Sequence, residues 1–182
     1  MRLAVLAPHF VLACVLAVAC TRSAAPAPRH ATVMDDCTLT TKLVPGVPGS
    51  PGHLLPSELN PNGASELATV MRTMQSDLTA ARAVVLDGGA PGPMFARHRK
   101  MRCAWPTDPA DRSAQFDAFA QSYLATVQVL DEQKTAPAAA FDNVLAACHM
   151  CHDNSCPGPL VVIDGLRITP LDAGTATRLV QQ

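Results

Sequence analysis

The sequence predicts an all-α protein, an antiparallel up-down-up-down four-helix bundle with a short C-terminal β-hairpin tail. Three observations point there. Aromatic residues are only 4% of the chain while alanine is abundant, a composition that favours close helical packing over a β-sandwich. An apolar seam steps from Leu67 through Met71, Met74, Leu78 and Ala81 to Val85, the pattern that bundle helices bury. Four helical segments then follow one another with short connections, which favours antiparallel neighbours. The 182 residues suffice for one domain, and a net charge of −1 provides no global field to hold nucleic acid.

Residues 1–19 read as a signal peptide. Arg2 supplies a basic start, Leu3–Ala19 is almost wholly apolar, and small residues lead into Cys20. The stretch is also about long enough for a retained membrane anchor, but export with cleavage is the expectation. Ala17 and Ala19 suit ordinary signal peptidase, whereas a cysteine directly after them resembles a bacterial lipobox, making Cys20 a candidate for lipidation. Either way the mature chain is expected outside the cytoplasm, periplasmic or in the cell envelope, where disulfides persist.

Residues 20–62 read as a Pro-rich tether. Residues 21–62 carry seven prolines and few large apolar side chains, too little burial to offset the entropy of ordering. The bundle is expected over residues 63–156. Its first helix has Ser65 as N-cap and Gly88-Gly89 as stop. A second, short and basic, is expected over 93–103, with Met94, Phe95, His98 and Met101 inward. Thr107 or Asp108 caps a third, whose stripe is Phe116, Phe119, Tyr123, Val127 and Leu130. A fourth opens at Thr135, runs through Phe141, Val144, Leu145 and Cys148, and stops at Pro157-Gly158-Pro159. In the tail, residues 157–182, an Asp-Gly pair between two β-prone runs predicts a hairpin over 160–169; a last short helix is expected near 173–180.

Near the end of the fourth helix stands ACHMCHD, residues 147–153. Cys148, Cys151 and His152 spell C-x-x-C-H, the signature of covalent haem attachment. At about 100° per residue the three side chains share one helix face, so two thiols can meet the porphyrin vinyl groups while the imidazole reaches the iron from the same side. The motif therefore implies one covalently bound haem c, with Cys148 and Cys151 as thioether anchors and His152 as an axial ligand. Zinc binding by Cys148, Cys151, His152 and Cys156, or a thiol redox motif, is the competing reading. Zinc ligands usually come as separated pairs, and a redox C-x-x-C opens a helix rather than ending one. His149 and Met150, between the cysteines, are expected to face solvent.

No methionine or histidine follows His152, so a sixth iron ligand must lie upstream or be absent. With helices one and four antiparallel, Met71 best matches the height of the iron. Met74, and Met101 or His98 on the second helix, are the other candidates, and Met71 and Met74 also suit a purely packing role.

The late motif and the segment VMRTMQSDL, residues 70–78, resemble the cytochrome c′ and cytochrome b562-type bundle family over about residues 62–154. The resemblance implies that a methionine at position 71 ligates iron and that the chain transfers single electrons. A bulky apolar residue there would imply five-coordinate iron and gas binding instead. Where that family often has a basic residue four places after the haem histidine, this chain has Cys156.

Of the other cysteines, Cys103 and Cys156 are expected at the same pole of the bundle, suggesting a disulfide between them. Cys37 would then be unpaired, or would pair with one of the others instead. The run RHRKMR, residues 97–102, reads as a solvated face rather than a docking patch. No nucleophile constellation, acid–base pair or phosphate loop points to an enzyme. The expected function is one-electron transfer by an exported monohaem cytochrome. The alternatives are a five-coordinate gas-binding protein of the cytochrome c′ kind and a non-haem secreted zinc or cysteine-rich module. Expected partners are redox proteins and, through a lipidated Cys20, the membrane; a homodimer is left open, and no nucleic acid is expected.

Overall fold

The computed structural model describes residues 37–132 and 136–169, all within one compact unit, residues 31–182. The signal peptide, Cys20, the first part of the tether and the helix near 173–180 lie outside the described residues. The fold is helical. The helices are α1 (Glu66–Leu86), α2 (Phe95–His98), α3 (Ala114–Glu132), α4 (Pro137–Ser155) and α5 (Leu160–Gly165), with 3-10 turns at Arg99–Cys103 and Pro109–Asp111.

Helix α1 follows its sequence signals. The Ser65 side chain accepts from the Ala68 N–H at 3.2 Å, and the helix ends before Gly88, whose φ of 78° only glycine adopts freely. Met74, Leu78, Ala81 and Val85 are buried, while Leu67 and Met71 pack against the core edge. The second helix is shorter than its 93–103 span. Only Phe95–His98 is α-helical before the chain tightens into the 3-10 turn. It still buries Met94, His98 and Met101. The Asp131 carboxylate of α3 accepts both the Met94 and the Phe95 N–H groups, at 2.9 and 2.7 Å, satisfying donors that a helix start leaves open.

The third helix begins later than expected. Asp108 caps only the 3-10 turn, and Ser113 accepts from the Phe116 N–H at the start of α3. Tyr123, Val127 and Leu130 are buried as their spacing implies, with Phe116 and Phe119 partly covered. Phe141, Val144 and Leu145 of α4 are fully buried against them. Each such side chain contributes about 1.5–3 kcal/mol through apolar burial.

Four expectations are corrected. First, residues 160–169 form no hairpin. Leu160–Gly165 is helical, and Asp142 of α4 accepts the Ile168 and Thr169 N–H groups at 2.9 Å each. Arg82 of α1 donates to the Leu166 carbonyl at 2.9 Å. These anchors, with Ile163 buried and Leu166 and Ile168 packed on the core, override the β preference of Leu160–Ile163.

Second, residues 37–62 are no loose tether. They run as successive turns across the pole where α1 begins, joined to it by the antiparallel bridge Leu55–Ala64. Trp105 Nε1 donates to the Val44 carbonyl at 2.7 Å, and Arg112 donates to the carbonyls of Thr41 and Thr38, each at 2.6 Å. Gly49, at φ 93°, lies so close to α1 that a Cβ there would sit 2.6 Å from the Glu66 nitrogen. Hydrogen bonds to the domain, together with the Cys37–Cys103 disulfide, hold this segment in place.

Third, the disulfide joins Cys37 to Cys103, with Cα atoms 5.4 Å apart, and Cys156 is a free, exposed thiol. Cys103 does stand at the pole where α1 starts, as placed from sequence. The ordered 37–62 segment sets Cys37 against it.

Fourth, His149 does not face open solvent. Its Nδ1 lies 2.9 Å from Asp164 Oδ1 of α5, while Met150 is 51% exposed. The basic run is also less free than its composition suggests, since Arg97 pairs with Asp77 at 2.8 Å and Arg102 with Asp117 at 2.8 Å.

Candidate functional site

Two clefts meet at the end of α4. The first, about 430 Å³, opens between α1, α4 and α5; Met71, Met74 and Leu78 face Leu145, Cys148 and His152 across it, with Ile163 and Leu166 closing one side. The second, about 410 Å³, lies between the starts of α1 and α3 and the end of α4, with Leu67, Phe116, Cys151 and Asn154 among its walls. Ala68, Met71, His152 and Cys156 line both. The two halves of the C-x-x-C pair are thus divided, Cys148 opening on one cleft and Cys151 on the other, with His152 between them. Both volumes fall in the range of small-molecule and cofactor sites.

His152 has a defined tautomer. Its Nδ1 lies 2.9 Å from the backbone carbonyl of Cys156. A carbonyl only accepts, so Nδ1 carries a proton, and in the neutral imidazole the lone pair is on Nε2. That state is the one required for ligating a metal through Nε2, with ring orientation held by the second nitrogen. The helix end makes the contact possible, because α4 stops at Ser155 and Cys156 folds back to donate its own N–H to the His152 carbonyl at 2.9 Å.

The thiols have the opposite character to a redox-active pair. Burial pushes the Cys148 thiol up to about 12, and burial followed by the neighbouring Cys156 raises that of Cys151. Catalytic C-x-x-C thiols are instead depressed below their ordinary value. Among the described residues, no three His, Cys, Asp or Glu side chains gather as a metal ion would need; Cys148, Cys151, His152 and Cys156 do not form such a group.

Of the sixth-ligand candidates, the structure brings only Met71 to both clefts with His152. Met74 lines the first alone and is buried in the core, as is Met101. His98 has both ring nitrogens engaged, Nε2 with Asp77 Oδ2 at 3.2 Å and Nδ1 with the Tyr123 hydroxyl at 2.7 Å. The residues that sequence reasoning missed are those of α5. Val162, Ile163 and Leu166 wall the first cleft, and their apolar spacing of one and three residues was readable as a helix face. No helix among the described residues is long and apolar enough to cross a membrane.

Comparison of the chain with protein-family models, with curated proteins and with solved structures finds no match.

Proposed function

We propose that the chain is an exported monohaem c-type cytochrome that transfers single electrons. The observation that carries this reading is the placement of His152, its Nε2 left free by the Cys156 carbonyl, on the ridge between two clefts that each receive one cysteine of the pair. A flat macrocycle bonded to both thiols would have to span the two clefts where they adjoin, at Met71 and His152. The residues present suit such a group: Cys148 and Cys151 would anchor it through thioethers, His152 would ligate the iron, and Met71, lining the same two clefts, would be a second ligand. Bound there, haem iron would supply a ferric–ferrous couple whose potential follows its axial ligands and its burial.

The chain's own residues do the rest. Burial keeps the thiols protonated and thus out of thiol–disulfide exchange, leaving them for addition to vinyl groups. Leu78, Leu145, Ile163 and Leu166 give the first cleft a largely apolar lining. Helix α5, held by His149–Asp164 and by Arg82, covers a side that would otherwise be open. We read the fold in the same terms, as a bundle of α1, α3 and α4 in which α2 and its 3-10 continuation stand as a short fourth member. Redox proteins are the proposed partners, and lipidation of Cys20 the proposed tether.

Expression of the full chain in a host with haem-attachment machinery tests the reading. The expected product is coloured and carries a haem that survives denaturation and acid extraction. A colourless, fully processed chain would overturn it. In a coloured product, a ferric spectrum that is high-spin before any substitution would favour the five-coordinate, gas-binding alternative.

A further inference from the structure

We propose that Tyr123, His98 and Asp77 form a proton-coupled one-electron relay in which Tyr123 is the redox-active group. None of the three belongs to the C-x-x-C-H motif, and the inference goes beyond the haem reading without depending on it.

Each hydrogen bond in the chain has a single direction. The Asp77 carboxylate only accepts, so His98 Nε2, 3.2 Å from Oδ2, carries its proton. His98 Nδ1 then presents a lone pair, and the Tyr123 hydroxyl, 2.7 Å away, donates to it. His98 is wholly buried and Tyr123 nearly so, so water does not compete for the contact between them, while Asp77 is partly exposed. At its outer end Asp77 pairs with Arg97 at 2.8 Å, and Arg97 is half-exposed. At its inner end Tyr123 packs in the same core as Leu145 and Cys148, near enough that charge on the Cys148 sulfur would act on the phenol. The relay therefore runs from the surface of α1 and α2 to the helix that carries the attachment motif.

The protonation states suit the chemistry. Burial pushes the Tyr123 phenol well above its ordinary range, so it stays protonated until it is oxidised. Burial holds His98 below its ordinary value despite the opposing pull of Asp77, so the imidazole is neutral and able to accept. The oxidant belongs to one class, a high-potential one-electron metal complex or metal cofactor that takes the electron by tunnelling. In the step, Tyr123 loses one electron to that oxidant and its O–H bond breaks. The proton bonds to His98 Nδ1, leaving a neutral tyrosyl radical beside an imidazolium balanced by Asp77. Re-reduction returns electron and proton together.

A hydrogen bond joining α1, α2 and α3 satisfies the same polar groups; the relay further requires that the rate of Tyr123 oxidation depend on His98 and on Asp77 behind it. The test uses the full chain as isolated, with any bound haem poised ferric, and tris(bipyridine)ruthenium(III) generated by flash photolysis. The chain has one tyrosine and one tryptophan, so the radical is assignable by electron paramagnetic resonance. The expected result is a tyrosyl signal, absent in Tyr123→Phe, whose formation slows in deuterated solvent. In His98→Gln, oxidation should slow about a hundredfold, the effect of removing a positioned base. If His98→Gln fails to fold, Asp77→Asn, which retains the side-chain shape, should slow the same step and shrink its isotope effect. A signal on Trp105 alone, or tyrosine oxidation with no isotope effect and an unchanged rate in the variants, would overturn the relay. Absence of covalent haem would sink the cytochrome reading and leave this experiment intact.

Discussion

His152 and Cys156 are joined twice across one helix end: the imidazole Nδ1–H donates to the Cys156 carbonyl at 2.9 Å, and the Cys156 N–H donates to the His152 carbonyl at 2.9 Å. The pair turns a fraying terminus into a fixed mount for Nε2. Replacing Cys156 by Ser should leave both backbone contacts intact, so the haem spectrum of Cys156→Ser should match that of the parent chain. A changed axial-ligand spectrum would show that the Cys156 thiol, not its carbonyl, governs the site.

Met71→Ala separates ligand from packing residue. The expected outcome is conversion of low-spin ferric haem to high-spin, with covalent attachment retained. Met74→Ala should leave the spin state alone and lower stability by about 2–5 kcal/mol, the range for truncating a buried methionine. A low-spin spectrum that survives Met71→Ala counts against the ligand assignment.

The Cys37–Cys103 disulfide closes a loop with a sequence separation of 66. On a chain-entropy basis a bond of that span contributes about 4 kcal/mol. Cys37→Ser should lower the urea midpoint correspondingly, and Cys156→Ser should not. Non-reducing peptide mapping should recover a peptide pair containing Cys37 and Cys103.

Acid stability should be governed in part by buried His98 and its partly exposed partner Asp77 at the junction of α1 and α2. Burial keeps His98 below its ordinary value of 6.5. Unfolding lets it bind a proton, so its contribution is complete above 6.5 and is lost as pH falls through the depressed folded value. Burial raises Asp77, but hydrogen bonds from Arg97 and His98 outweigh it and set its carboxyl below the ordinary 3.8. Its stabilising contribution is likewise lost as pH falls further. Stability should therefore decline from about pH 6.5 downward, and the upper part of that decline should vanish in His98→Gln. An identical pH profile in the variant would contradict the assignment.

Thiol accessibility in the haem-free chain should rank Cys156 first and Cys148 last, since Cys156 is exposed and burial pushes Cys148 up to about 12. Mass spectrometry of a timed alkylation reads the order directly. Preferential labelling of Cys148 would show that α5 does not cover the first cleft.

The chain's helical character was legible in the sequence, because periodic burial is a local property. Leu78, Ala81 and Val85 must share a face once the segment is helical, and Ser65 and Gly88 mark its ends whatever surrounds it. The spacing of Cys148, Cys151 and His152 within about one helix turn was legible as well, but not that packing would open the two thiols onto different clefts. What local pattern could not decide was anything set by a distant partner. The hairpin expected over 160–169 was a sound reading of local preference, overturned by Asp142 and Arg82, which lie 26 and 84 residues away from the groups they hold. Cys103 was placed at the right pole, but its partner depended on Trp105 and Arg112 ordering a Pro-rich stretch whose own composition promised no order. The pairing of His98 with Tyr123 belongs to the same class, whereas the facing of Met71 and His152 followed from antiparallel packing of the first and fourth predicted helices. Sequence determined which side chains each helix could present. Tertiary packing decided which of them met, because burial energies and hydrogen bonds between segments far apart in the chain exceed the small preferences written into any one of them.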